Sequence, residues 1–329
     1  MKVLHLVHWQ KSGIYVAVDA LKAEGLKNDD QHDIVVLRNN SSVISIFMSA
    51  IYFLKFIYKA NFCNFVRINL HSFLPFMASF LCFGKNTSLF FHSNYPFLQG
   101  KNKKDKIKLR LTKIYSRGNG VFTVSNIVKK SVDGALNTNS KISYNIIKFK
   151  KNSSKTESIN KLGSAGRFDP EKRFFEITKA FSDIQTKSNL HLAGDGRMLE
   201  KIKLYVDQRN NQNIFFHGRQ ESMENFYNTI DAYICCSAFE GFGLAIAEAM
   251  IYGKILISTK VGVLCENFDF KFLEIKPDLS NLKDCIKSAE NLDKNAIDFM
   301  TETNRKILAE NFRDDSIYKM YKQYQLEIK

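Results

Sequence analysis

Short apolar runs alternate with amphipathic stretches along the first 135 residues. KVLHLVHW (2–9) and HDIVVLR (32–38) predict strands, and residues 14–27 between them space their apolar positions as an amphipathic helix does. VRINLHS (66–72), SLFFHSN (88–94) and GVFTVS (120–125) predict three more strands. These runs are nearly continuously apolar, the pattern of parallel strands covered on both faces. KKNSSKTESINK (150–161) is polar, rich in Ser and Asn and without periodicity, so it predicts a linker.

The rhythm then restarts. KLGSAGRF (161–168), SNLHLAG (188–194), NIFFHG (213–218), AYICCS (232–237) and KILIST (254–259) predict strands. Helices are predicted at 171–185, 197–210, 221–230 and 244–253, the last stopped by Gly253. The fold class is therefore α/β, with two doubly wound, Rossmann-like parallel-sheet domains at 1–150 and 151–310. DDSIYKMYKQYQLEIK (314–329) has a helical pattern and reads as a simple terminal helix; the family resemblance given below implies instead that residues 311–329 return to the N-terminal domain. VISIFMSAIYFL (43–54) and FLPFMASFLCF (73–83) fall short of the roughly 18–20 residues a membrane span needs. Both predict core helices, with an interfacial role as the alternative for the first.

Charge changes this picture. The chain has 329 residues and a net charge of +15, and the whole excess lies in residues 1–150, with 22 basic against 7 acidic residues. The densest run, KNKKDKIKLRLTK (101–113), holds seven basic residues and one Asp. It reads as a solvated basic helix or as a patch for an anionic membrane surface. The run has no interleaved aromatic residue and no nucleic-acid module beside it, so nucleic acid is not an expected partner. The six Cys form no C-x-x-C pair, which suits reduced thiols in a cytoplasmic protein. MKVLHLVHWQ starts directly in a strand-like run and carries no signal-peptide pattern.

Candidate chemistry concentrates in SAFEGFGLAIAEAM (237–250), where Glu240 precedes a glycine-rich turn and Glu248 lies on the following helix. Alone, a glycine turn and two Glu eight apart say little. Together they resemble the E-x7-E signature of the retaining glycosyltransferases of family 4, which have the GT-B fold of two Rossmann-like domains facing a central cleft. GRFDPEK (166–172) resembles that family's G-R-x-x-x-x-K segment, and LAGDGRMLEKI (192–202) its G-x-G loop. LHSFLPFMASFL (70–81), FFHSNYP (90–96) and FTVSNIVKKSV (122–132) are similar to its N-terminal domain. Two departures stand out: the loop after the first strand keeps only Gly13, behind Lys11 and Ser12, and Asn145 lacks a following Gly.

The resemblance implies roles. Arg167 and Lys172 would hold the donor diphosphate and neutralise the departing charge, which fixed cations can do without a metal. Taken alone, they read equally as a surface Arg and Lys beside a helix. Glu248 would accept from the ribose hydroxyls, or else be an ion-paired helix residue. Glu240 would face the transferred sugar as hydroxyl binder and electrostatic support. Gly166, Gly194, Gly196, Arg219, Gly241, Phe242, Gly243, Leu244 and Gly13 complete the expected donor-binding set. His92, ending a strand, would contact the donor sugar or be structural; His71, Ser125 and Lys11 would lie on the acceptor side, Ser125 also serving as a helix cap. No acidic pair or His cluster suggests a divalent site, so neither metal nor cofactor is expected.

The implied reaction is transfer of a sugar from a nucleotide-sugar, by family habit a UDP-sugar. The expected acceptor is a polyprenyl-diphosphate-linked oligosaccharide of O-antigen or capsule synthesis, with the enzyme cytoplasmic and peripheral at the inner membrane face. A soluble small-molecule acceptor and a non-catalytic scaffold are the alternatives.

Overall fold

The computed structural model describes residues 1–9, 12–38, 43–71, 81–82, 86–147, 156–220 and 222–327, with the backbone alone for 9 and 43–47. The chain divides into two compact units, Met1–Lys148 with Phe312–Lys329, and Phe149–Asn311. The first half of the linker expected at 150–161 falls outside the described residues, as does most of 73–83.

In the first unit, strands β1 (Lys2–Trp9), β2 (Gln31–Arg38), β3 (Arg67–His71), β4 (Asn86–Phe91), β5 (Gly120–Thr123) and β6 (Lys141–Ile142) form one sheet. Their order is β2-β1-β3-β4-β5-β6, and every pairing is parallel. Parallel neighbours need long crossovers. These include α1 (Gly13–Lys27), α2 (Val43–Phe62), α3 (Lys103–Ser116) and α4 (Asn126–Leu136). Ser12 caps α1 by accepting from Tyr15 N at 3.2 Å, and Asn102 caps α3 by accepting from Asp105 N at 2.9 Å.

The structure revises the expectation for 43–54. The helix extends to Phe62, and only one face of it is core: Phe56 and Ala60 are fully buried, whereas Ile51, Leu54, Tyr58 and Phe62 are exposed. The segment is apolar on both sides but has a sheet to cover one side only.

The second unit contains β7 (Lys161–Arg167), β8 (Asn189–Asp195), β9 (Ile214–Gly218), β10 (Ala232–Cys235), β11 (Ile255–Thr259) and β12 (Leu273–Ile275). They are ordered β12-β11-β10-β7-β8-β9, again all parallel. Helices α5 (Phe174–Ser182), α6 (Leu199–Gln208), α7 (Met223–Thr229) and α8 (Leu244–Ile251) connect them. Helices α9 (Leu282–Glu290) and α10 (Lys294–Asn311) follow β12. Leu162, Leu190, Leu192, Ile234 and Ile257 form the centre of the core at 0% exposure. Each such side chain contributes roughly 1.5–3 kcal/mol by leaving water.

The last helix, α11 (Asp314–Glu327), belongs to the first unit, where it buries Ile317, Tyr318 and Tyr321. In a doubly wound sheet, ligands collect beyond the strand carboxyl ends where the winding direction reverses. The second sheet reverses between β7 and β10, the first between β1 and β3.

Candidate active site

The reversal between β7 and β10 brings two loops together. After β7 the chain passes through Phe168 and Asp169 into a short 3-10 turn, Pro170–Lys172, before α5. After β10 it runs through Ser237 and Glu240 into the glycine turn ahead of α8. Ala238 N donates to Glu171 O at 2.9 Å, tying the loops by main chain. Lys172 Nζ reaches Glu240 Oε1 at 2.5 Å, and Ser237 Oγ donates to the same oxygen at 2.8 Å. Both members of this ion pair are mostly shielded, which limits solvent screening. The Ser237 carbonyl accepts from Thr259 Oγ1 at 2.8 Å, anchoring the loop to the end of β11.

Arg167, at the tip of β7, pairs with Asp169 at 3.0 Å and keeps 73% of its side chain exposed. Asp169 holds a second cation, Arg197, also at 3.0 Å and 75% exposed. One carboxylate therefore positions two accessible guanidiniums. The loop carrying Arg197 is joined to the Arg167 loop by Phe168 N to Asp195 O at 2.9 Å and Met198 N to Phe168 O at 2.8 Å.

Gly194 lies opposite Gly166 in the β7–β8 pairing. A Cβ on Gly194 would sit 1.8 Å from Gly166 O, and one on Gly196 would sit 2.6 Å from Phe168 N. The missing side chains make room for the neighbouring loop rather than for open space.

The glycine turn closes the same site. Gly243 has φ +80°, a left-handed conformation natural only to glycine, and starts α8 without a side-chain cap. The first amides of α8, beginning at Leu244, therefore have no capping side chain. Gly241 and Phe242 are buried, and Phe242 O accepts from Val263 N at 2.7 Å. Glu248 lies just over one turn along α8, where Tyr227 OH donates to its Oε2 at 2.9 Å. Burial raises the Glu248 carboxyl above its ordinary range, against the opposing effect of that hydrogen bond. Burial likewise pushes the Tyr227 phenol well up.

The remaining expected residues lie elsewhere. Arg219 is exposed just past β9, the edge strand farthest from the reversal on that side. In the first unit, His71 Nδ1 and His92 Nε2 are 2.8 Å apart. Ser125 is buried and caps α4, accepting from Val128 N at 3.4 Å. Gly13 is exposed at the start of α1, with open space where a Cβ would be. Lys11 lies outside the described residues. Among the described residues no cluster of His, Cys, Asp and Glu could hold a metal ion.

Sequence reasoning omitted Asp169, Arg197, Ser237 and Tyr227. Arg197 carried a signal, because it directly follows the G-x-G of GDGR. Tyr227 carried none, since its place beside Glu248 depends on how α7 packs.

Residues 145–306 match the family model described as Glycosyl transferases group 1. An uncharacterized glycosyltransferase of Methanocaldococcus jannaschii is 29% identical over 203 residues, or 53% of this chain and 57% of that protein. N-acetyl-alpha-D-glucosaminyl L-malate synthase of Bacillus anthracis is 29% identical over 179 residues, covering 50% of this chain and 45% of its own length. The chain thus spans about half the length of these two curated relatives, 57% and 45%. An uncharacterized 41.2 kDa protein in the cps region of Klebsiella pneumoniae is 25% identical over 318 residues, 87% of this chain and 84% of that one. The solved structure of Anabaena HepE in complex with UDP-glucose superposes with a TM-score of 0.80 at 16% identity, covering 98% of each chain. At that identity the likeness is one of fold, two parallel α/β sheets of the GT-B kind.

Proposed function

We propose that this chain is a metal-independent, retaining glycosyltransferase that takes a sugar from a nucleotide-sugar, preferably a UDP-sugar. The observation that carries the reading is the Lys172–Glu240 pair at the sheet reversal, within the segment that matches the family model. Departure of a nucleoside diphosphate leaves negative charge that must be met by fixed cations and amides. Arg167, Arg197 and Lys172 supply the cations, and the uncapped amino ends of α5 and α8 supply amides. Glu248 Oε1 has no partner among the described residues and suits a ribose hydroxyl. Glu240 is already engaged by Lys172 and Ser237, which favours hydroxyl binding and charge support over nucleophilic attack. In the retaining path proposed, the departing phosphate takes the acceptor's proton on the same face of the sugar.

The proposed acceptor is a polyprenyl-diphosphate-linked oligosaccharide of surface polysaccharide synthesis, met at the inner face of the cytoplasmic membrane. The cps-region relative supports this, together with the exposed Lys101, Lys103, Lys104 and Lys106 in and before α3. The exposed apolar stripe of α2 adds area for an interfacial contact. Among the described residues no helix is long and apolar enough to cross a membrane.

Isothermal titration with UDP, and a thermal-shift panel of nucleotide sugars, test the donor reading. Binding by wild type that Arg167→Ala weakens supports it; a wild-type protein indifferent to every nucleotide sugar overturns it in favour of a scaffold. Flotation with anionic liposomes tests the membrane reading. Binding lost when the four lysines become Glu is expected, and wild type that stays with the soluble fraction overturns it.

A further inference from the structure

Four histidines that are far apart in sequence form one hydrogen-bonded staircase across the first unit's sheet. His32 lies on β2, His5 on β1, His71 on β3, and His92 directly after β4; these four strands are adjacent. In the pairing registers, His32 faces Val3, His71 faces Val7, and His71's other neighbour is Phe90. Each step therefore advances two residues toward the carboxyl ends, which keeps all four rings on one sheet face. His32 Nδ1 meets His5 Nε2 at 2.9 Å, His5 Nδ1 meets His71 Nε2 at 3.1 Å, and His71 Nδ1 meets His92 Nε2 at 2.8 Å.

The lower end is anchored. Tyr318 of α11 places its hydroxyl 2.8 Å from His32 Nε2 and 3.0 Å from Asp30 Oδ2. Asp30 also pairs with the Met1 amine and with Lys322 at 2.8 Å. Burial alone would raise its pKa, but these donors outweigh burial and hold it below the ordinary value, as a carboxylate. The rings are neutral: burial lowers His5 and His71 well below 6.5, and brings His32 and His92 down to about 4. Gly25 of α1 makes the anchor possible, because a Cβ there would sit 2.5 Å from His32 Cδ2 and 3.0 Å from Tyr318 OH.

These contacts leave one arrangement of protons. A carboxylate accepts only, so the Tyr318 hydroxyl donates to Asp30 and its oxygen accepts from His32 Nε2–H. A neutral imidazole has one donor and one acceptor, so His32 Nδ1 accepts from His5 Nε2–H. The same logic passes to His71 Nε2–H and then to His92 Nε2–H. The reverse polarity would set the phenol oxygen against Asp30 with no proton between them.

We propose that this Asp30-anchored relay fixes the tautomer of His92, so that it turns an unprotonated Nδ1 outward as an acceptor for a substrate hydroxyl. His92 Nδ1 has no hydrogen-bond partner among the described residues. That the hydroxyl belongs to the transferred sugar rests on the glycosyltransferase reading; the tautomer does not. His5, His32, His71, Tyr318 and Asp30 are positioning residues acting through His92.

Nitrogen-15 NMR of the imidazoles in the full chain tests this without a ligand, with His92 assigned by the signals lost in His92→Gln. A pyridine-type Nδ1 and a pyrrole-type Nε2 at His92 are expected, and a pyrrole-type Nδ1 in wild type overturns the proposal. Tyr318→Phe, or Asp30→Asn should the first fail to fold, removes the anchor. The His92 signature should then become averaged or inverted; an unchanged signature in a folded variant overturns the relay. In the same variant, affinity for a UDP-sugar should fall about three- to tenfold, the range for one lost neutral hydrogen bond, while affinity for UDP alone is unchanged. If no nucleotide sugar binds wild type, the functional reading fails and the tautomer result still stands.

Discussion

At the scale of single residues, the site depends on pairs in which each partner fixes the other. On the proposed reading, Lys172→Ala would remove a cation from the departing phosphate, and it would release Glu240 from its ion pair. Turnover should fall by about 10²–10³, the size of losing one fixed electrostatic contact, read as kcat under saturating donor. Tyr227→Phe is milder. It removes one hydrogen bond from Glu248 and leaves the ring packing intact, so nucleotide affinity should fall about three- to tenfold with little change in melting temperature. Arg167 and Arg197 share Asp169, so their alanine variants should not be additive in a double-mutant cycle on UDP affinity.

At the scale of elements, the loops after β7 and β8 are locked by glycine. Gly194 has φ +133° and faces Gly166 O, so Gly194→Ala combines backbone strain with overpacking. A loss of roughly 3 kcal/mol is expected, which lowers the unit's melting temperature by about 6–12 °C in calorimetry. Much at this scale was legible in the chain. The run KVLHLVHW is β1 residue for residue, and EKRFFEITKAFSDIQ contains α5, because burial on both faces and a 3.6-residue period leave local marks. Lys172 and Glu240 were singled out only through the family resemblance of their segments. That their side chains meet was not legible, because it depends on the fold bringing the loops after β7 and β10 together. Nor was the order of the strands, since local pattern does not record which neighbour a crossover reaches. The histidine staircase was hidden for the same reason: His5, His32, His71 and His92 become one feature only when register is known. The exposed stripe of α2 was hidden too, because a uniformly apolar segment does not say which side will find a partner.

At the scale of the whole molecule, the buried histidines set an acid limit. Their folded pKa values lie below the unfolded value of about 6.5, so the unfolded chain binds more protons between roughly pH 4 and 6.5. The stability they contribute is complete above pH 6.5 and is lost as pH falls toward 4. Lys22 and Lys322 near this cluster act in the same direction, and only Asp30 opposes them at His32. The unfolding free energy from urea titrations should therefore fall from pH 7 to pH 5, by up to about 1.4 kcal/mol per pH unit for each histidine involved. A flat profile would show that the rings take up protons as readily in the native protein as in the unfolded chain. A last consequence follows from chain order. Tyr318 and Tyr321 of α11 fill the first unit's core, yet they come more than 160 residues after its last strand. As the ribosome delivers the chain, the second unit has all its parts first, while strands β1–β6 wait with an uncovered face until α11 emerges. Nascent protein stalled before residue 312 should accordingly be captured by chaperones through its oldest segment, not its newest.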